Sequence, residues 1–201
     1  LRGAGTVLRK RRGEMYTASE YVRESLRAAA SERFRELAED ALKKALRSPI
    51  LLQEYEAEMG RRLEFHLVQT PQLAIKVFCM SPQQPKSPPH DHAGLWGLYG
   101  TYRGVLYMSF YEEIPGSTPE SPRLREGPPL RIGAGEVQFV PPEAIHAVWT
   151  DTEGTIVLTV YNGDLNNSIR RIFDLQRHVV VRDLSRWEER LTQGGGKEYA
   201  L

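Results

Sequence analysis

Histidine is scarce in this chain, and three of its five copies fall where they could hold a metal together. His90-Asp91-His92 sets two imidazoles one residue apart. In a strand, alternate side chains point the same way, so the two rings would share a face. The third, His146, closes the stretch Gly135-Glu136-Val137-Gln138-Phe139-Val140-Pro141-Pro142-Glu143-Ala144-Ile145-His146. A lone His-x-His is a weak signal; joined to a second element with Gly, Pro and His at suitable intervals it becomes a strong one. Three imidazoles on one face leave coordination positions open, which is the arrangement of a catalytic rather than a structural site. Imidazole suits iron, zinc, copper and nickel alike, so the ligands do not choose the metal. The bland alternative is an inert barrel with an adventitious ion. His66 and His178, each alone in a strand-like stretch, read as packed or surface residues.

The elements that must position these histidines come in two kinds. Residues 17–47 are helical in pattern: Val22, Leu26, Phe34, Leu37, Ala41, Leu42, Ala45 and Leu46 recur at spacings near three and four. Thr17 or Ser19 caps the start, and Ser31 marks a break into two helices. Ser48-Pro49 closes the run, and 50–60 reads as a further short helix ended by Gly60. After Gly60 the period becomes two. Residues 63–68 and 73–80 read as strands around a turn at Thr70-Pro71. Residues 81–89 carry four prolines and read as a stiff loop outside any ladder, delivering the chain to His90. Strands follow over 95–102 and 105–111, then a long Pro-, Gly- and Ser-rich surface loop over 112–129. Further strands cover 137–140, 146–150, 155–161, 169–173 and 179–181, and a short helix covers 185–191. Many short strands punctuated by Gly and Pro argue for a sandwich or barrel. Helices first and strands after make a mainly β chain with an N-terminal helical extension.

The 201 residues suit one domain with a full core. The expected divisions are a basic terminus over 1–15, a helical extension over 16–60, the barrel over 61–183, and a helix and tail over 184–201. A net charge of +1 gives no reason to expect nucleic acid, despite Arg9-Lys10-Arg11-Arg12. No run reaches the roughly 18 apolar residues of a membrane span. The single Cys79 forms no internal disulfide and reads as a buried thiol; a reducing, cytoplasmic compartment is expected.

These residues resemble the cupins, double-stranded β-helix barrels with two sequence motifs. The first motif is matched from His90-x-His92 to Gly104, the second from Gly135 through Pro141 to His146. Many cupins carry a metal-binding Glu where this chain has Gly97. The resulting three-histidine set resembles thiol dioxygenases of the cysteine dioxygenase type. The string His90-Asp91-His92-Ala93-Gly94-Leu95-Trp96-Gly97-Leu98-Tyr99-Gly100 is similar to their bacterial branch, which includes 3-mercaptopropionate dioxygenases. Mammalian members have, at the place of Gly97, a cysteine crosslinked to a tyrosine. Tyr161-Asn162-Gly163-Asp164-Leu165 resembles the family's Tyr-Gly-Gly-Asp segment and makes Tyr161 the active-site tyrosine. Where the family has Ser-x-His before it, this chain has Val157 and Thr159. Arg171-Ile172-Phe173-Asp174 is similar to the family's closing strand.

The resemblance implies Fe(II), a small thiol and O2 as partners, and oxidation of the thiol to a sulfinic acid. A neutral histidine shell leaves negative charge for the substrate to supply. Arginine pairs with carboxylates in two-point fashion, and the candidate anchors are Arg170, which trails Tyr161, and Arg62. Either also reads as an ordinary exposed arginine. Trp96, Tyr99 and Thr159 are candidates for the pocket wall, although strand aromatics also serve as core. No partner in nucleic acid or membrane is expected, and the chain is expected as a monomer or homodimer. Two other readings stay open: a cupin of different chemistry, such as a C–C-cleaving dioxygenase or a lyase, and a non-catalytic ligand-binding cupin.

Overall fold

The computed structural model describes residues 16–59 and 63–184. The basic segment expected over 1–15, the helix-ending Gly60, Arg62 and the helix expected over 185–191 lie outside the described residues. Helix α1 runs Ala18–Ala29 and α2 runs Phe34–Leu46. Thr17, not Ser19, is the cap: its hydroxyl accepts from Glu20 N, and the Glu20 carboxylate accepts from Thr17 N at 2.8 Å. Ser31 lies in the break, its hydroxyl accepting from Arg33 N. Past Ser48, a 3-10 turn over Gln53–Tyr55 leads into the short α3, Glu56–Met59.

The strands are β1 Glu64–Gln69, β2 Ala74–Met80, β3 Gly97–Arg103, β4 Val105–Glu113, β5 Leu124–Glu126 and β6 Leu130–Gly133. They continue as β7 Val137–Val140, β8 Ile145–Trp149, β9 Thr155–Tyr161, β10 Ile169–Asp174 and β11 Val179–Leu184. One antiparallel sheet has the order β1-β2-β9-β3-β7. Its outer face carries Ile75, Val77, Leu98, Ile156, Leu158 and Val160, packed under the helices. The matching stripe on α2 is Ala38, Ala41, Leu42, Ala45 and Leu46, all buried, at the spacing that keeps one helix face on a sheet. Each fully buried leucine contributes about 2 kcal/mol. Every residue of β9 is buried, because the helices cover one face of the sheet and the second sheet covers the other.

In the second sheet β4 pairs with β8 on one edge and with β6 and β5 on the other. Here the structure corrects the reading of 81–89 as a loop outside any ladder. Ser87 N donates to Val148 O, His90 and His146 exchange backbone bonds of 2.9 Å, and Phe173 N donates to Pro89 O. The segment 87–91 is thus a strand between β8 and β10. Proline cannot donate to a ladder, but its carbonyl still accepts. A second correction concerns 112–129, which is not wholly loop: β5 lies within it, held against Tyr111, Glu112 and Glu113. The β6 strand had no counterpart in the sequence reading.

From β2 onward the chain passes back and forth between the sheets: β2 to 87–91, β3 to β4, β7 to β8, β9 to β10. Gly104 makes one of these crossings at φ +81°, with Thr155 so close that a Cβ would sit 2.3 Å from its hydroxyl. Between the sheets lie Leu106, Met108, Ile132, Val140 and Val157. The barrel is a double-stranded β-helix. Among the described residues no helix is long and apolar enough to cross a membrane.

Candidate metal centre

The two histidine-bearing stretches are adjacent antiparallel strands. The paired bonds between His90 and His146 fix their register, so both side chains point inward with Phe110 and Ile172, their cross-strand partners. His92 is placed differently. Beyond Asp91 the chain turns through Ala93 at φ 54° and Gly94 at φ 82°, and Leu95 N closes the turn on His92 O at 3.1 Å. Asp91, between the two histidines, faces away from them. Its carboxylate accepts from Ala93 N and Arg171 N and pairs with Arg171 Nε at 2.6 Å. It clamps the turn to β10 and thereby aims His92 into the barrel, a role the sequence reading did not assign.

The three rings converge. Centroid separations are 4.6 Å for His90 and His146, 4.7 Å for His92 and His146, and 5.8 Å for His90 and His92. One nitrogen from each lies within 4.8 Å of the others, and all three residues are buried. His90 Nδ1 is 2.9 Å from the Pro88 carbonyl. A carbonyl only accepts, so Nδ1 carries the proton and the lone pair is on Nε2. His92 Nδ1 faces β3, 3.3 Å from where a Gly97 Cβ would stand, and is buried without a protein partner. Burial, with His146 and Arg170 nearby, holds His90 and His92 well below the ordinary imidazole range. Burial, with the Arg170 guanidinium adding to it, pulls His146 down to about 4. The site therefore presents three neutral imidazoles at pH 7, the protonation state a metal requires. Donor type, spacing and the neutral state of the three buried rings all fit a metal ion.

Tyr161 is 1% exposed, and its hydroxyl donates to Tyr99 Oη at 3.0 Å. Tyr99 Oη in turn lies 3.1 Å from His92 Nε2 and 3.2 Å from His146 Nε2. Gly97 stands beside this group: a Cβ there would meet His92 Cε1 at 3.1 Å and Tyr161 Cε1 at 3.2 Å. No crosslink to Tyr161 can form from it. A cavity of about 290 Å3 adjoins the cluster, lined by His90, Tyr99, Tyr161 and Arg170, with Phe78, Met80, Leu106, Val148 and Val157 as apolar wall. Glu64 and Lys76 also line it and pair with each other at 2.6 Å.

Arg170 is on β10, not in a loop after Tyr161, and shares the inward face with Ile172 two residues on. It is 3% exposed, and its Nε is buried without a partner. Arg171, one residue later, points out to Asp91 and Glu113. Thr159 faces the interior between Lys76 and Tyr99 in register, its hydroxyl buried and unpartnered. Trp96 does not face the cavity. It packs against Phe34 of α2 and against Phe139, since it precedes inward-facing Gly97 and so takes the helix side. Arg62 lies outside the described residues. His66 reaches Asn166, and His178 is exposed in a turn. Tyr99 is the residue whose position the sequence reading undervalued. Its signal was its place two residues from Gly97 on one strand, hence on the same face.

No family model matches the chain, and no curated protein shows significant sequence similarity to it. Solved structures are similar in part. The DMSP lyase DddQ from Ruegeria pomeroyi is 23% identical over 57% of this chain and 53% of that one, with a TM-score of 0.41. The match thus takes in about half of that protein's length. Hydroquinone 1,2-dioxygenase PnpCD, in complex with Cd2+ and 4-hydroxybenzonitrile, is 8% identical over 53% and 69%, with a TM-score of 0.42. A cupin superfamily protein from Desulfitobacterium hafniense is 17% identical over 51% and 76%, with a TM-score of 0.37. The architecture rests on this chain's own strand pairing rather than on these likenesses.

Proposed function

We propose that the protein is a non-haem, Fe(II)- and O2-dependent thiol dioxygenase that converts a small carboxylate-bearing thiol to its sulfinate. The observation that carries this reading is the charge of the site. His90, one of three clustered neutral imidazoles, and the buried Arg170 guanidinium border one cavity, and among the described residues the histidine cluster includes no carboxylate. Among the described residues the one acid lining the cavity, Glu64, is paired with Lys76. A ligand has to bring its own negative charge, and a thiolate with a carboxylate brings two.

His90, His92 and His146 would hold the iron, which supplies a site where a thiolate sulfur and dioxygen meet, R–SH and O2 giving R–SO2H. Arg170 would bind the substrate carboxylate, its unpartnered Nε and fork-shaped donor set suited to two-point contact. The Tyr161–Tyr99 pair would orient the reacting end by hydrogen bonding. Phe78, Met80, Leu106 and Val157 would exclude water around it. A reducing cytoplasm suits such a substrate. Every proposed contact comes from one chain, so a monomer or a homodimer would both be competent.

A second reading, a metal-dependent lyase, is favoured by one feature. Two phenol hydroxyls 3.0 Å apart beside the cluster form a proton-transfer pair that needs no dioxygen. Oxygen uptake separates the two. The Fe(II)-loaded protein should consume one O2 per thiol with a carboxylate-bearing thiol, release the matching sulfinate, and lose this in His146→Ala. Iron firmly bound with no uptake across a thiol panel would sink the dioxygenase reading, and anaerobic turnover would install the lyase.

A further inference from the structure

We infer that Tyr99 is a fourth protein ligand to the ion held by His90, His92 and His146. The inference rests on the metal-centre reading and adds to its ligand set. Tyr99 Oη is 3.1 Å from His92 Nε2 and 3.2 Å from His146 Nε2. With metal–ligand bonds of about 2.1 Å, neighbouring ligand atoms stand about 3.0 Å apart in an octahedron and about 3.4 Å in a tetrahedron. Tyr99 Oη therefore lies at the distance of an adjacent vertex from two of the histidine nitrogens.

The direction of each ring supports Nε2 as the ligand atom. His90 Nδ1 is spent on Pro88 O, two residues back. His146 Nδ1 is buried without a hydrogen-bond partner, while its Nε2 faces Tyr99 Oη. His92 Nδ1 faces Gly97. Once the Nε2 lone pairs go to an ion, neither nitrogen can accept from the Tyr99 hydroxyl, and neither carries a hydrogen to donate. Tyr161 already donates to Tyr99 Oη, so the oxygen arrives with its own lone pairs among the nitrogens'. A shared cation accommodates that convergence with no hydrogen on either Nε2. Tyr161 then acts as a positioning residue, holding the Tyr99 oxygen by its hydrogen bond.

The test is the colour of the iron-loaded protein after oxidation to Fe(III). A phenolate ligand gives a visible charge-transfer band, and resonance Raman excitation within it enhances tyrosine ring modes. Wild type and Tyr161→Phe should both show the band, displaced in the variant because its hydrogen-bond donor is gone. Tyr99→Phe should bind iron at least about tenfold more weakly and, when loaded, lack the band. A wild type that holds iron without the band overturns the inference, because Tyr99 would then only accept hydrogen bonds from Nε2–H groups. A band that survives Tyr99→Phe, or one lost in Tyr161→Phe alone, overturns it too. If Tyr99→Phe does not fold, the band and ring modes in wild type and Tyr161→Phe decide. Failure of wild type to take up iron at all would instead sink the metal-centre reading, and metal analysis tells the cases apart.

Discussion

Arg170 and its neighbour Arg171 show how one residue of offset separates function from scaffold. Period two turns Arg170 into the barrel and Arg171 out to Asp91 and Glu113. Replacing a buried, incompletely paired cation with an apolar side chain of similar length is often neutral for stability. Arg170→Met should therefore fold normally yet raise KM for a carboxylate-bearing substrate by about tenfold or more, near 1.4 kcal/mol of binding. Steady-state kinetics beside a denaturation curve check this; an unchanged KM would remove Arg170 from the substrate. The imidazoles make a pH prediction. Unfolded, they titrate near 6.5, whereas folded His146 titrates at about 4. Between those values the unfolded chain binds more protons, so stability falls as pH falls. His146 alone contributes roughly 3 kcal/mol that is present above pH 6.5 and gone below about pH 4. The urea midpoint of metal-free protein should drop from pH 7 to pH 4.5, with a smaller drop in His146→Leu. A midpoint independent of pH would contradict the burial of neutral rings.

At the scale of the element, β3 separates two jobs on its two faces. Gly97 faces the site, and a Cβ there would press on the His92 and Tyr161 rings at 3.1 and 3.2 Å. Gly100 faces α2, and its Cβ would meet the methyl ends of Leu46 and Leu42 at 2.9 and 3.1 Å. Leucine tips can swing aside; rings held by hydrogen bonds and neighbours cannot. Gly100→Ala should cost about 1 kcal/mol of stability and leave metal affinity unchanged. Gly97→Ala should lower metal affinity by about tenfold, because the ring that must give way is a ligand. Metal titrations of the two variants decide, and equal affinities would mean that β3 does not set the ligand geometry. The segment 87–91 shows what an element can hide. Its prolines mark it as loop, yet its carbonyls and a few N–H groups fill a gap in the second sheet. Composition reports which donors are missing, but only the neighbouring strands reveal which acceptors are used.

For the whole molecule, the candidate ligands tie the two sheets together: His90 and His146 from one, Tyr99 from the other, and His92 from the turn between. An ion that binds only the folded chain stabilises it by about 4 kcal/mol at a free concentration a thousandfold above Kd. For a chain of this size that raises Tm by about 8 to 16 °C. Thermal denaturation with Fe(II) or Zn(II) against chelator-treated protein measures this, and His92→Ala should abolish the difference. A Tm indifferent to metal would count against the centre.

Local patterning carried much of this protein. The capping box at Thr17, the α2 stripe, the turn at Gly104 and the alternation of the strands all depend on residues within a few positions of each other, so they are legible in order along the chain. The histidine set was legible too, since its members sit in two motifs whose Gly and Pro residues shape the backbone around them. What sequence order could not decide was who faces whom across the barrel. Trp96 just before β3 and Tyr99 on it are three positions apart, and only the two sheets and α2 settle that Trp96 meets Phe34 while Tyr99 meets His92, His146 and Tyr161. The same holds for Arg170, whose burial depends on β10 closing beside the 87–91 strand. Spacing assigns a side chain to a face. Which face becomes the inside is decided by the sheets and helices that close over it, because burial is a property of the assembled layers.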